Sequence, residues 1–243
     1  MAIYWIINAV TWPHIELLVN YLRECRSKNE VTESLRIGMN HCIILYSACY
    51  VEGILESGLK AVIRQKRDVF NKVEISDFYT RKTVNTLFTA LETDVIRRVS
   101  RTTGMPNYDE IFKLLTGQRI SDKPKVQPLW EGIQTLFQFR NVLAHSREVS
   151  TTLLQAYWIP EEWREEFSGG YKKAEDYLLK CNLVKSKFSD CKSLSTFFTD
   201  KVADHFWKLA KELVIGISDS IPEDVKSAFD AVLLNSDDEN VNN

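Results

Sequence analysis

A chain of 243 residues with 44% apolar side chains can bury an ordinary core, as one large domain or two small ones. Nine Gly and six Pro leave little material for the turns of a many-stranded β fold, so the composition points to helices. The formal net charge of −2 is unevenly spread: residues 60–125 carry fourteen Lys and Arg against eight Asp and Glu, and residues 146–243 carry twelve against eighteen.

After a short apolar start, Ile15, Leu18, Val19 and Leu22 recur at helical spacing, which predicts a helix over His14–Arg26 with Trp12-Pro13 suited to its first turn. A longer helix is expected from about Ser34 to Gln65, with a stripe of Leu45, Ala48, Glu52, Leu55, Leu59 and Val62. A third spans Phe78–Arg101 and stops before Gly104 and Pro106. Tyr108–Leu115 forms a short fourth helix ending at Gly117, and a loop with Pro124 and Pro128 leads into a helix over Leu129–Arg147. Beyond Ser146, Tyr171–Lys180 and Leu194–Ile215 read as helical, the second with a face of Phe198, Val202, Phe206, Leu209 and Leu213. Pro222 opens a last short helix, and SDDENVNN reads as a disordered acidic tail. The expected architecture is all-α: an up-and-down bundle over residues 1–150, a C-terminal helical extension over 151–235 packed on it, and the tail at 236–243.

Five cysteines (Cys25, Cys42, Cys49, Cys181, Cys191) include no C-x-x-C pair and no His at a ligand spacing, so no metal or other cofactor is expected. Cys42 and Cys49 lie in an apolar run and read as core thiols of a reducing compartment. MAIYWIINAV has no basic leader and no small-residue cleavage site, and the run from Cys42 to Leu59 is broken by Glu52 and Glu56. A soluble cytoplasmic protein with no membrane partner is the expectation. Arg64, Lys66, Arg67 and Arg97, Arg98, Arg101 form basic clusters that could meet phosphates or simply face solvent.

The stretch FQFRNVLAHS, residues 137–146, holds the unusual chemistry. Arg140 falls within a stripe of Leu129, Ile133, Leu136, Phe137, Leu143 and Ala144, and a guanidinium pointed at a core needs an acid to meet it. Glu52 is placed the same way on the long second helix, so an Arg140–Glu52 bridge is predicted; Glu56 is the weaker partner because Lys60 is four residues on. Asn141 and His145 are four apart and share a face with Gln134 and Gln138. Arg140 and His145 are about 140° apart around an ideal helix, so the arginine must bend along the surface to reach the histidine's side. One copy of this helix is an incomplete site, and a twofold axis would bring two histidines and two arginines around one groove. Arg36 to His41, RIGMNH, repeats the Arg-x4-His spacing but has a Gly and no Asn after the Arg; His41 reads as a packing histidine.

RNVLAHS resembles the signature of the HEPN superfamily: Arg, a polar residue that is often Asn, a short spacer and His, on a late helix of an α-helical bundle. The resemblance covers the motif helix and the bundle from Ser34 to about Ser146. It implies an endoribonuclease that needs no metal and works as a homodimer with a composite site, in systems such as toxin–antitoxin pairs and antiviral defence, under an antitoxin or regulatory protein. RNA is then the partner, Arg140, Asn141 and His145 the catalytic residues, and Glu52 a support. His145 would move a proton between the 2′-hydroxyl and the departing 5′-oxygen, with its twofold mate in the complementary role. Arg140 would steady the phosphorane charge through its fixed fork, and Asn141 would orient phosphate or imidazole. The products would be a 2′,3′-cyclic phosphate and a 5′-hydroxyl, and DNA would resist. The alternative expectation is a non-catalytic HEPN-like module that binds RNA, nucleotide or protein. Phe137, Phe139, Tyr157, Trp158 and Trp163 could stack bases, but read as core.

Overall fold

Apolar spacing of three and four residues gives helices throughout a computed structural model that describes residues 12–28, 30–72, 78–101, 104–144, 173–185 and 197–223, with positions 226, 227, 229 and 230. No strand occurs among the described residues, so the fold class is all-α as the composition suggested. Helix α1, Trp12–Arg26, buries Ile15 and Val19 and carries Arg23 and Arg26 in its last turn, where cations suit the helix dipole. Helix α2, Glu33–Asn71, starts behind Thr32, whose hydroxyl accepts from the Leu35 amide. It runs six residues past the expected end, because Lys66–Phe70 contains neither Gly nor Pro and Arg67 finds Glu92 as a partner at 3.1 Å.

Helix α3, Phe78–Arg101, has the predicted bounds. Helix α4, Met105–Thr116, begins three residues earlier than expected, since Pro106 sits in its first turn, where the missing amide is harmless. It ends at Gly117, in the left-handed region at φ 81°, whose amide closes on the Lys113 carbonyl at 2.8 Å. A 3-10 turn, Gln127–Leu129, enters helix α5, Trp130–Ala144. Residues 173–180 are helical (α6) and are followed by Asn182 at φ 54°.

Helix α7, Asp200–Ser218, starts later than the expected Leu194 because Thr199 caps it: the Val202 amide reaches the Thr199 hydroxyl at 3.3 Å. Phe197 and Phe198 are thereby left before the α-helix, both buried. The expected boundary near residue 150, the end of α5 to Arg147 and the acidic tail lie outside the described residues.

The chain packs as two compact units: Met1–Val51 with Leu129–Glu212, and Glu52–Pro128 with Leu213–Asn243. In the first, Val202, Phe206 and Trp207 of α7 supply the middle of the core. Phe139 meets Phe206 at 5.6 Å and Phe198 at 5.5 Å, and Tyr50 meets Trp207 at 5.1 Å, all edge to face. In the second, Leu55, Leu59 and Val62 of α2 are buried, as are Val99, Met105, Phe112 and Phe229. The single stripe expected on α2 is too narrow: Ile43, Ile44 and Val51 in the first unit, and Ile54 and Ile63 in the second, are buried as well. By length and composition α2 could cross a bilayer, but 56% of its most apolar window is buried within the protein, as in a core helix.

Candidate functional site

Helix α5 carries the Arg-Asn pair. Ile133, Leu136, Phe137 and Phe139 are buried, which settles Phe137 and Phe139 as core side chains. Arg140 is half-buried at the margin of this apolar arc, and Asn141 is exposed. The Arg140 Nη1 donates to the Asn141 Oδ1 at 2.9 Å, so the guanidinium is drawn round toward the Asn141 side. His145, Tyr157, Trp158 and Trp163 lie outside the described residues. Arg140 belongs to the first unit and Glu52, half-buried on α2, opens the second. Their pairing stays an expectation. Glu56 does take Lys60 as its partner four residues on, which was the reason to set it aside.

The start of α5 is fixed by a close approach. A side chain on Gly132 would run into the Tyr177 hydroxyl and Leu209. That proximity lets Tyr177 Oη bond His205 Nε2 at 2.7 Å, a pair joining α6 to α7. Burial pushes the Tyr177 hydroxyl above the ordinary tyrosine range and holds His205 below the ordinary histidine value. Both groups are therefore neutral near neutral pH.

The second Arg-x4-His stretch has a different fate. Arg36 Nη1 pairs with Asp200 at 3.2 Å. Asn40, 1% exposed, donates from Nδ2 to the Phe198 carbonyl at 2.8 Å and to Asp200 Oδ1 at 2.9 Å. His41 packs edge-on against the Phe198 ring at 4.4 Å, and its buried Nε2 has no hydrogen-bond partner. Burial holds its pKa below the ordinary value. It is a packing histidine, as read from the sequence.

Around it lies the densest polar network among the described residues, one that helical periodicity does not reveal. Arg26, 5% exposed, donates to Asn40 Oδ1 and to Asp204 Oδ2, each at 2.7 Å, while Arg23 Nε takes Asp204 Oδ1 at 2.7 Å. Asp200 and Asp204 are one turn apart on α7, and that spacing was the only available signal. Every member has a partner, so the network reads as a clasp of α1, α2 and α7.

No protein-family model, no curated protein and no solved structure matches this chain. What it does has to be read from its own side chains.

In the second unit the basic clusters are partly neutralised. Arg67 is held by Glu92, and Arg97 and Arg98 share Asp94 at 2.6 and 2.8 Å. The Arg97 hydrogen bond is the main reason that the Asp94 carboxyl titrates below its ordinary value. The described thiols, Cys25, Cys42, Cys49 and Cys181, are unbridged and half-buried, so Cys42 and Cys49 sit at the edge of the core rather than within it. Among the described residues no three His, Cys, Asp or Glu side chains gather as a metal site.

Proposed function

We propose that the protein is an endoribonuclease that works without a metal ion through Arg140, Asn141 and His145. The site belongs to an HEPN-like helical bundle and is completed by a second copy across a twofold axis. The observation that supports this is the hydrogen bond from Arg140 to Asn141 at 2.9 Å. It draws a permanent cation away from the apolar arc of α5 toward Asn141, the residue four places before His145 in the sequence. A fixed planar donor beside a proton-transfer group is what 2′-hydroxyl attack on phosphorus requires. The P–O5′ bond breaks as the P–O2′ bond forms, the 2′-hydroxyl proton goes to one imidazole, and the departing 5′-oxygen takes a proton from the other.

The resemblance extends the reading to a cytoplasmic toxin or antiviral effector restrained by a partner protein. The test is incubation of the purified full chain with total RNA and mapping of the cut ends. Cyclic phosphate ends from the wild type, lost in His145→Ala and Arg140→Ala with folding and dimerisation retained, are expected. A wild type that cuts no RNA at any salt or pH would leave the non-catalytic binding module as the preferred function.

A further inference from the structure

Helix α3 buries side chains only in its second half. Glu92, Val95 and Val99 are buried, whereas no residue from Phe78 to Leu91 is. A groove of about 960 Å³ runs along this half, lined by Arg81, Lys82, Asn85, Thr86, Thr89 and Arg97 among others. From Arg81 to Arg97 the helix advances by about 24 Å, long enough for several units of an extended polymer.

Among the described residues the lining sets three cations, Arg81, Lys82 and Arg97, against one carboxylate, Asp94, which Arg97 and Arg98 hold. Arg81 and Lys82 are exposed and make no ion pair among the described residues. Between them and Arg97 stand the amide of Asn85 and the hydroxyl of Thr89, groups that bond phosphate and sugar oxygens without selecting a base. At the open end, Phe78 and Tyr79 are 71% and 76% exposed, with ring centroids 5.7 Å apart and planes at 80°. Two rings that are mostly exposed and touch each other edge to face, beside two cations with no ion pair among the described residues, are poorly explained by folding. Together they match one kind of ligand: bases need a π surface, and the backbone that carries them needs cations.

We infer that the exposed half of α3 is a docking strip for single-stranded nucleic acid, with Arg81 and Lys82 on the phosphates and Phe78 and Tyr79 stacked on bases. The strip is separate from the Arg140 helix and does not depend on cleavage.

The test uses the full-length His145→Ala chain, so that the probe survives, and fluorescence anisotropy with a short labelled oligoribonucleotide and its deoxy counterpart. Both probes bind, and binding weakens steeply with salt. Arg81→Ala/Lys82→Ala weakens binding at least tenfold and makes the log–log salt slope shallower by about two. Phe78→Ala/Tyr79→Ala weakens it by roughly tenfold with the slope unchanged. Circular dichroism checks that each variant is folded; Arg81→Gln/Lys82→Gln, which keeps the polar bulk, replaces any that is not. Affinity indifferent to the charge variant overturns the strip. So does equal competition by polyglutamate together with a silent aromatic variant, which would mark an acidic protein as the occupant. A chain that binds through these residues yet never cuts RNA overturns the nuclease reading alone; one that cuts RNA but binds independently of them overturns this inference alone.

Discussion

Arg26 Nη2 meets Asp204 Oδ2 at 2.7 Å with the arginine side chain only 6% exposed, so a charge from α1 is desolvated against a charge from α7. Asp204 keeps Arg23 when Arg26 is replaced, but the buried Asn40 Oδ1 loses its donor, so Arg26→Met is expected to lower unfolding free energy by about 1–3 kcal/mol. Arg23→Met, on an arginine that is 42% exposed and contacts the same aspartate, should cost about 0.5 kcal/mol or less. Urea titration of both variants checks this, and an Arg26→Met protein as stable as the wild type refutes the clasp.

Two glycines of α2 should respond with opposite signs. A Cβ at Gly58 would enter the ring of Phe229, itself 0% exposed, so Gly58→Ala should destabilise by about 1–3 kcal/mol. Gly38 has nothing within 4 Å of that position, and Gly38→Ala should stabilise the helix by up to about 1 kcal/mol. Thermal melts of the two variants should move in opposite directions from the wild type; a shared direction would contradict this packing.

Acid should weaken the first unit through its histidines. His41 and His205 both titrate below the ordinary value of 6.5 because they are buried, so the unfolded chain takes up their protons first. Their contribution is intact above 6.5 and is lost as pH falls through the folded values. Urea unfolding at about pH 7.5 and about pH 5 should show this loss, and His41→Phe should flatten the dependence. An undiminished slope in His41→Phe would exclude His41 as a source.

Asn141 is exposed, so Asn141→Ala should change stability by no more than about 0.5 kcal/mol. If the Asn141 oxygen holds the guanidinium in place, the same variant should reduce kcat for RNA cleavage roughly tenfold with little change in KM. A variant that cleaves at the wild-type rate denies Asn141 that task.

Features that depend on near neighbours in sequence were legible. The end of α3 followed from Gly104 and Pro106, the end of α4 from Gly117, and the adjacency of Arg140 and Asn141 from the residues themselves. The breadth of the core was not, because Ile43, Ile44 and Ile54 look like ordinary apolar residues until packing shows that they too are covered. Arg26 was hidden for a different reason: beside Arg23 at a helix end it reads as a dipole-compensating charge, and its acid lies on another helix. Tyr177 and His205 likewise meet only in three dimensions, over Gly132, whose lack of a side chain carries no such message in a linear reading.

The clasp also has a timetable. Arg26 emerges from the ribosome 178 residues ahead of Asp204, a wait of roughly 10 to 35 s at ordinary elongation rates. Until then its cation stays hydrated and Tyr50 of α2 has no Trp207 to pack against. A nascent chain stalled before Asp200 would thus leave Arg26 without its aspartates and Tyr50 without Trp207, so these early helices of the unit would be among its last parts to mature.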